Sequence, residues 1–189
     1  LVLGDKVRRL RKSAGFTLFE FFAVVIIVVI LVGVALPYFF SARDLEAEAT
    51  IKANMKIAQM AAESYAHDHA GEYPPEAADL VYQSYFPGGN RNVDNPSPGN
   101  YPVNPFTKQP QPPLAGKVKD PVQAKQSPPQ LLGEPGAIYY NAIVGQSAQE
   151  DANPICNSYA IQGASRSGYA LIDREDGPMS KHTLVLTNP

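Results

Sequence analysis

At 189 residues the chain has room for one domain with a modest core once any membrane segment is set aside. Its formal charge of −2 is uneven: residues 1–15 hold Lys6, Arg8, Arg9, Arg11 and Lys12 against Asp5 alone, which leaves eleven bases and seventeen acids for the rest. That acidic remainder argues against nucleic acid as the main ligand, which needs clustered Lys and Arg, and the single Cys156 excludes an intrachain disulfide.

Residues 1–15 read as a basic leader, expected to stay in the cytoplasm and to send everything after Pro37 outward. The stretch GFTLFEFFAVVIIVVILVGVALP then runs from Gly15 to Pro37, apolar but for Glu20. Residues 16–40 are long enough as a helix, at ~1.5 Å per residue, to cross a ~30 Å hydrocarbon layer. An acid in such a run is costly, so Glu20 is a candidate functional residue. A cut after Gly15 would give Phe16 a positive α-amino group four residues from Glu20, and positions i and i+4 are neighbours on a helix. A negative charge near the helix start also suits the unpaired N–H groups there. An ordinary secretory signal would be shorter, would lack the acid and would end at a small-residue cut site. A plain signal anchor for an extracytoplasmic binding domain is the remaining alternative outside the reading that follows.

Gly15-Phe16-Thr17-Leu18-Phe19-Glu20, with a basic leader before it and Pro37 after it, resembles the class III signal of type IV pilins and pseudopilins. Phe19, Phe21 and Phe22 stand where leucine or isoleucine is commoner in that family, and they keep bulk and apolarity. The resemblance implies cleavage by prepilin peptidase between Gly15 and Phe16, N-methylation of Phe16, and assembly roles for Glu20 and Pro37. It implies a structural, non-enzymatic subunit that starts as a single-pass protein of the cytoplasmic membrane and leaves lipid for a helical homo-oligomeric filament. An inner-membrane platform and an ATPase would be its partners, and no cofactor is expected. Within the family, the alternative is a pseudopilin of a type II secretion-like system. The implied fold is pilin-like α+β, one long helix laid on a small antiparallel sheet.

Residues 41–70 read as the amphipathic half of the same helix, with Ile51, Met55, Ala58, Ala62 and Tyr65 forming one apolar stripe. Glu48 and Lys52 make a favourable i, i+4 pair on its flank. Gly71, followed by Pro74 and Pro75, marks the helix end near His69. Residues 71–189 form the head. A short helix is expected over 76–85, then a Pro-rich loop over 87–135 holding twelve of the eighteen prolines. That density excludes central strands and long helices. Tyr85, Phe86, Tyr101 and Phe106 are the candidates to pin the tract, while 117–129 lacks such an anchor and reads as a mobile surface loop. Strands are expected over 137–144, 158–162, 169–173 and 183–187, so the C-terminal strand region spans 137–188 and reads as an antiparallel meander.

Chemistry beyond the N-terminus is sparse. His67 and His69 lie two apart on a helix and so point to different sides, which favours a solvated helix end over a zinc site. Asp173, Glu175 and Asp176 offer oxygen ligands for calcium, with a charged hairpin turn as the plainer reading. Neither GASRS nor ASRSG fits a nucleophile elbow, and no phosphate-cradling glycine loop occurs. Cys156 reads as a small packed hydrophobe.

Overall fold

The computed structural model describes residues 16–92, 94–144, 155–174 and 182–188. Two compact units meet in the sequence between Ala42 and Arg43. Helix α1 (Leu18–Asp68, 51 residues) supplies nearly all the described residues of the first unit and the first element of the second. The reading of one helix across both halves holds to within two residues at either end.

In the second unit α1 buries Ala47, Ile51, Asn54, Met55, Ala58, Ala61, Ala62, Tyr65 and Ala66. All five residues of the expected stripe are among them. The alanines interspersed with Ile51 and Met55 keep this face narrow and bring other chain segments close to the helix. Glu48 turns away from the expected partner Lys52 and meets Arg174 instead, its Oε2 3.1 Å from Nη2. The helix stops at Ala70 and Gly71, both with positive φ (55° and 91°), and the Gly71 N–H closes back on the Ala66 carbonyl at 2.8 Å. This six-to-one bond satisfies a carbonyl the helix end leaves open.

Helix α2 (Leu80–Gln83) is the core of the expected 76–85 helix, capped by Asp79, whose side chain accepts from the Val81 N–H at 2.8 Å. The Pro-rich tract is pinned where its aromatics fall: Tyr85 and Phe86 are buried, and Tyr101 and Phe106 pack on the main core. A polar hub does as much. Asn104, buried, donates to Gln111 and to the Pro135 carbonyl and accepts from the Phe106 and Thr107 N–H groups.

The tract departs from expectation after Pro113. Strand β1 (Leu114–Ala115) and helix α3 (Pro121–Gln126) lie inside it. The run expected as an unanchored loop is thus partly helical, started by Asp120 as N-cap with Pro121 just inside, and held at its far end by Thr183, whose hydroxyl and N–H both donate to the Ser127 carbonyl. Strands β2 (Ile138–Val144) and β3 (Cys156–Gly163) pair antiparallel as expected. β1, however, pairs parallel with β2, Leu114 opposite Tyr139 and Ala115 opposite Tyr140. The wholly antiparallel sheet is therefore corrected to a mixed sheet in the order β1-β2-β3. Parallel neighbours need a crossover of a dozen or more residues, and the α3 segment supplies it. The expected strands over 169–173 and 183–187 reduce to isolated antiparallel bridges, Ala164 with Ala170, Ile172 with Thr183 and Ile161 with Leu186. The architecture is α+β.

One face of the sheet packs on α1. Ile138, Tyr140, Tyr159 and Ile161 join Ile51, Met55, Ala58 and Ala62, with Tyr82 and Phe86 from the α2 region closing the core. With one cysteine, free and buried, this head is held by aromatic packing. The three most deeply buried phenols each find a partner. Tyr82 Oη donates to the Ala58 carbonyl at 3.1 Å, Tyr140 Oη to the Pro74 carbonyl at 2.8 Å, and Tyr159 Oη to Glu63 Oε1 at 2.5 Å. These bonds tie the sheet to α1 and to the chain just beyond it, so the aromatic core is directional as well as apolar.

Candidate functional site

The sequence placed the functional chemistry at the start of the apolar segment. Among its described residues the large apolar side chains are exposed, from Phe16 through Val24, Ile30 and Leu36 to Phe40. An 18-residue window there reaches a mean hydropathy of 3.0 with none of it buried, which makes α1 one helix long and apolar enough to cross a membrane by length and composition. An apolar surface of this extent needs lipid or other protein against it.

Glu20 sits in the first turn of α1 and is not unpartnered. Its Oε2 accepts from both the backbone N–H and the hydroxyl of Thr17, each at 2.8 Å, and the Glu20 N–H donates back to Thr17 Oγ1 at 3.2 Å. Thr17 also takes the first helical bond, its carbonyl accepting from the Phe21 N–H at 3.1 Å. Thr17-Leu18-Phe19-Glu20 is a capping box, in which N-cap and third residue satisfy each other's orphan N–H groups. Sequence reasoning found Glu20 and missed Thr17. The T-x-x-E spacing was a readable signal, overshadowed by the i, i+4 relation of Glu20 to Phe16.

Phe16 is exposed and directly precedes the cap, so the atom that a cut after Gly15 would turn into an amine adjoins the residue that holds the Glu20 carboxylate. Gly15 lies outside the described residues, as does the rest of 1–15, the stretch read from the sequence as a leader. Pro37 stays inside α1, which is helical on both sides of it. Lacking an N–H, it leaves the Gly33 carbonyl one turn earlier without its helical donor, a weak point built into the apolar half.

Among the described residues the head brings none of the weaker candidates together. His69 stacks on Tyr65 with ring centroids 3.9 Å apart and its Nδ1 2.8 Å from the Tyr65 carbonyl, while Asp68 accepts from Tyr85 Oη at 2.9 Å. His69 is thus absorbed into the helix end, while His67 is exposed. Of the calcium candidates, Asp173 is described, its N–H bonded to the His182 carbonyl at 2.9 Å. Glu175 and Asp176 lie outside the described residues. Among the described residues no group of three or more His, Cys, Asp or Glu is placed to hold a metal ion. Cys156 is buried, and that burial pushes its thiol up from the usual range, which disfavours the reactive thiolate.

No family model, curated protein or solved structure matches this chain.

Proposed function

We propose that the protein is a structural subunit of a type IV pilin-like filament, inserted with its basic leader in the cytoplasm and cleaved between Gly15 and Phe16. The observation that carries this reading is the fully exposed apolar half of α1 with a single acid at its start, held ready beside the expected new N-terminus. Before cleavage Thr17 occupies the Glu20 carboxylate, which keeps the acid tolerable in lipid without another charge. Cleavage by prepilin peptidase, followed by methylation of Phe16, adds a cation within reach of the same oxygen. In a bundle of such helices the Glu20 carboxylate then pairs with the Phe16 amine of a neighbour. Because an unpaired charge in an apolar bundle is strongly disfavoured, the pair selects one axial stagger. Pro37 provides the weak point at which the helix loosens as subunits pack.

Glu20→Gln separates the two roles of this residue. Glutamine retains the capping box but carries no charge for the amine. The expected result is a protein made, capped and membrane-bound at wild-type level, with filament yield lost. Normal filaments from the Glu20→Gln chain would reduce Glu20 to a helix cap and overturn the assembly role.

A further inference from the structure

The first turn of α1 is closed against the residues before it. In an unbroken helix the Glu20 N–H would donate to the Phe16 carbonyl and the Thr17 N–H to the Ser13 carbonyl, each four residues back. Both donors are taken. The Glu20 N–H donates to Thr17 Oγ1 at 3.2 Å, and the Thr17 N–H to Glu20 Oε2 at 2.8 Å. The Thr17 hydroxyl gives its own proton to the same carboxylate oxygen at 2.8 Å, which leaves its lone pairs for the Glu20 N–H. The Phe21 N–H then makes the first regular bond, to the Thr17 carbonyl at 3.1 Å. Phe16 and Thr17 stand outside the helix, whose first residue is Leu18.

The sequence before α1 shows what this box opposes. Arg8, Arg9, Leu10, Arg11 and Lys12 are all good helix formers, so a helix that begins in the apolar run has favourable residues to grow into on the N-terminal side. Gly15 is the one strong local obstacle between them, and an N-cap threonine opposes such growth by a comparable amount.

Where the helix starts decides the state of one bond. In the hydrolysis that the proposed function requires, water adds across the Gly15–Phe16 amide, leaving a carboxylate on Gly15 and a protonated amine on Phe16. A hydrolase has to aim hydrogen-bond donors at the scissile carbonyl oxygen and bring water to the face of the amide. A helical backbone has its carbonyls bonded along the axis and its amides packed beneath side chains. An extended one leaves its N–H and C=O groups free to be bound.

We propose that Thr17 is a positioning residue for the cut: by capping α1 at Leu18 it keeps the Gly15–Phe16 bond extended and open to prepilin peptidase. This rests on the cleavage reading given under the proposed function and assigns to Thr17 a role separate from the charge of Glu20. The Thr17 hydroxyl takes the N–H that a backward-growing helix would turn to the Phe16 carbonyl, and Glu20 takes the N–H of Thr17 itself.

The test is cleavage of the full chain, still carrying residues 1–15, by prepilin peptidase in detergent micelles. The cut is located by mass, and the backbone at Phe16 is read from its Cα chemical shift. Thr17→Ala is expected to lower kcat/KM about three- to tenfold and to move the Phe16 shift to a helical value. Thr17→Ser, whose hydroxyl caps equally well, keeps the rate within about twofold of the native chain. Leu10→Gly with Ser13→Gly weakens the backward helix without touching the box, and in the Thr17→Ala background it restores the rate to within about twofold of native. An unchanged rate for Thr17→Ala, an equal loss for Thr17→Ser, or no rescue by the glycine pair overturns the proposal while the cleavage reading stands. A native chain left uncut between Gly15 and Phe16 overturns both.

Discussion

The contact between α1 and β3 is close because Gly163 has no side chain. A β-carbon at this position would fall inside the van der Waals reach of Ile51 Cγ2 and 2.8 Å from Met55 Sδ, and both of those side chains are fully buried. Gly163 lies in β3, where its pairing with Ile138 fixes the backbone, so the strand cannot step away without breaking the ladder. Met55 has a flexible thioether that can yield; the branched Ile51 has less freedom. Overpacking of this kind costs about 1–3 kcal/mol. For a chain of this size that is a fall in Tm of roughly 2–12 °C. The assay is thermal unfolding of the full chain, followed by circular dichroism, for Gly163→Ala, Ile51→Ala and the double variant. Ile51→Ala alone opens a cavity and costs about 2–5 kcal/mol. In that background the Gly163→Ala penalty should shrink to under about 1 kcal/mol, because the clashing methyl is gone. An equal penalty in both backgrounds, or a stabilised Gly163→Ala, would refute the reasoning that this glycine sets the helix–sheet distance.

Two further outcomes follow from the head. Ala70 holds the left-handed position that ends α1, so Ala70→Gly should stabilise by about 0.5–1 kcal/mol, read as a higher Tm; a lower Tm would show that the cap gains nothing from glycine there. Burial pushes the Tyr82, Tyr140 and Tyr159 hydroxyls up, and burial together with the Asp68 hydrogen bond pushes Tyr85 up to about 12. Each ionises at higher pH folded than unfolded, where tyrosine titrates near ~10. Their contribution to stability is therefore complete below that pH and is lost as pH rises through 12. Phenolate absorbance should show these residues ionising only with loss of the folded circular dichroism signal; ionisation of all ten of the chain's tyrosines while the head stays folded would contradict it.

Long-period patterns were legible in the sequence and short local devices were not. The α1 stripe could be read because Ile51, Met55, Ala58, Ala62 and Tyr65 repeat over several turns, and all five are buried. β2 could be read from its β-branched and aromatic run, and β3 from the alternation of Ser158 to Gln162. β1 has two residues and therefore no period, so nothing local announced a parallel strand within a proline tract. For α3 a signal existed, Asp120 followed by Pro121, but six residues fall below the length at which periodicity helps. The apolar segment and Glu20 were plain from composition, whereas the hold of Thr17 on Glu20 lay in a four-residue spacing.

The central claim is that residues 16–40 are an assembly helix released by one cut, and the mass of the chain recovered from membranes and from sheared surface material tests it most directly. The account predicts a chain that begins at Phe16 and is heavier by about one methyl group, present in the sheared fraction as well as in the membrane. A mature chain that still carries Leu1 to Gly15 would contradict it, and the role of Glu20 in subunit pairing would fall with it.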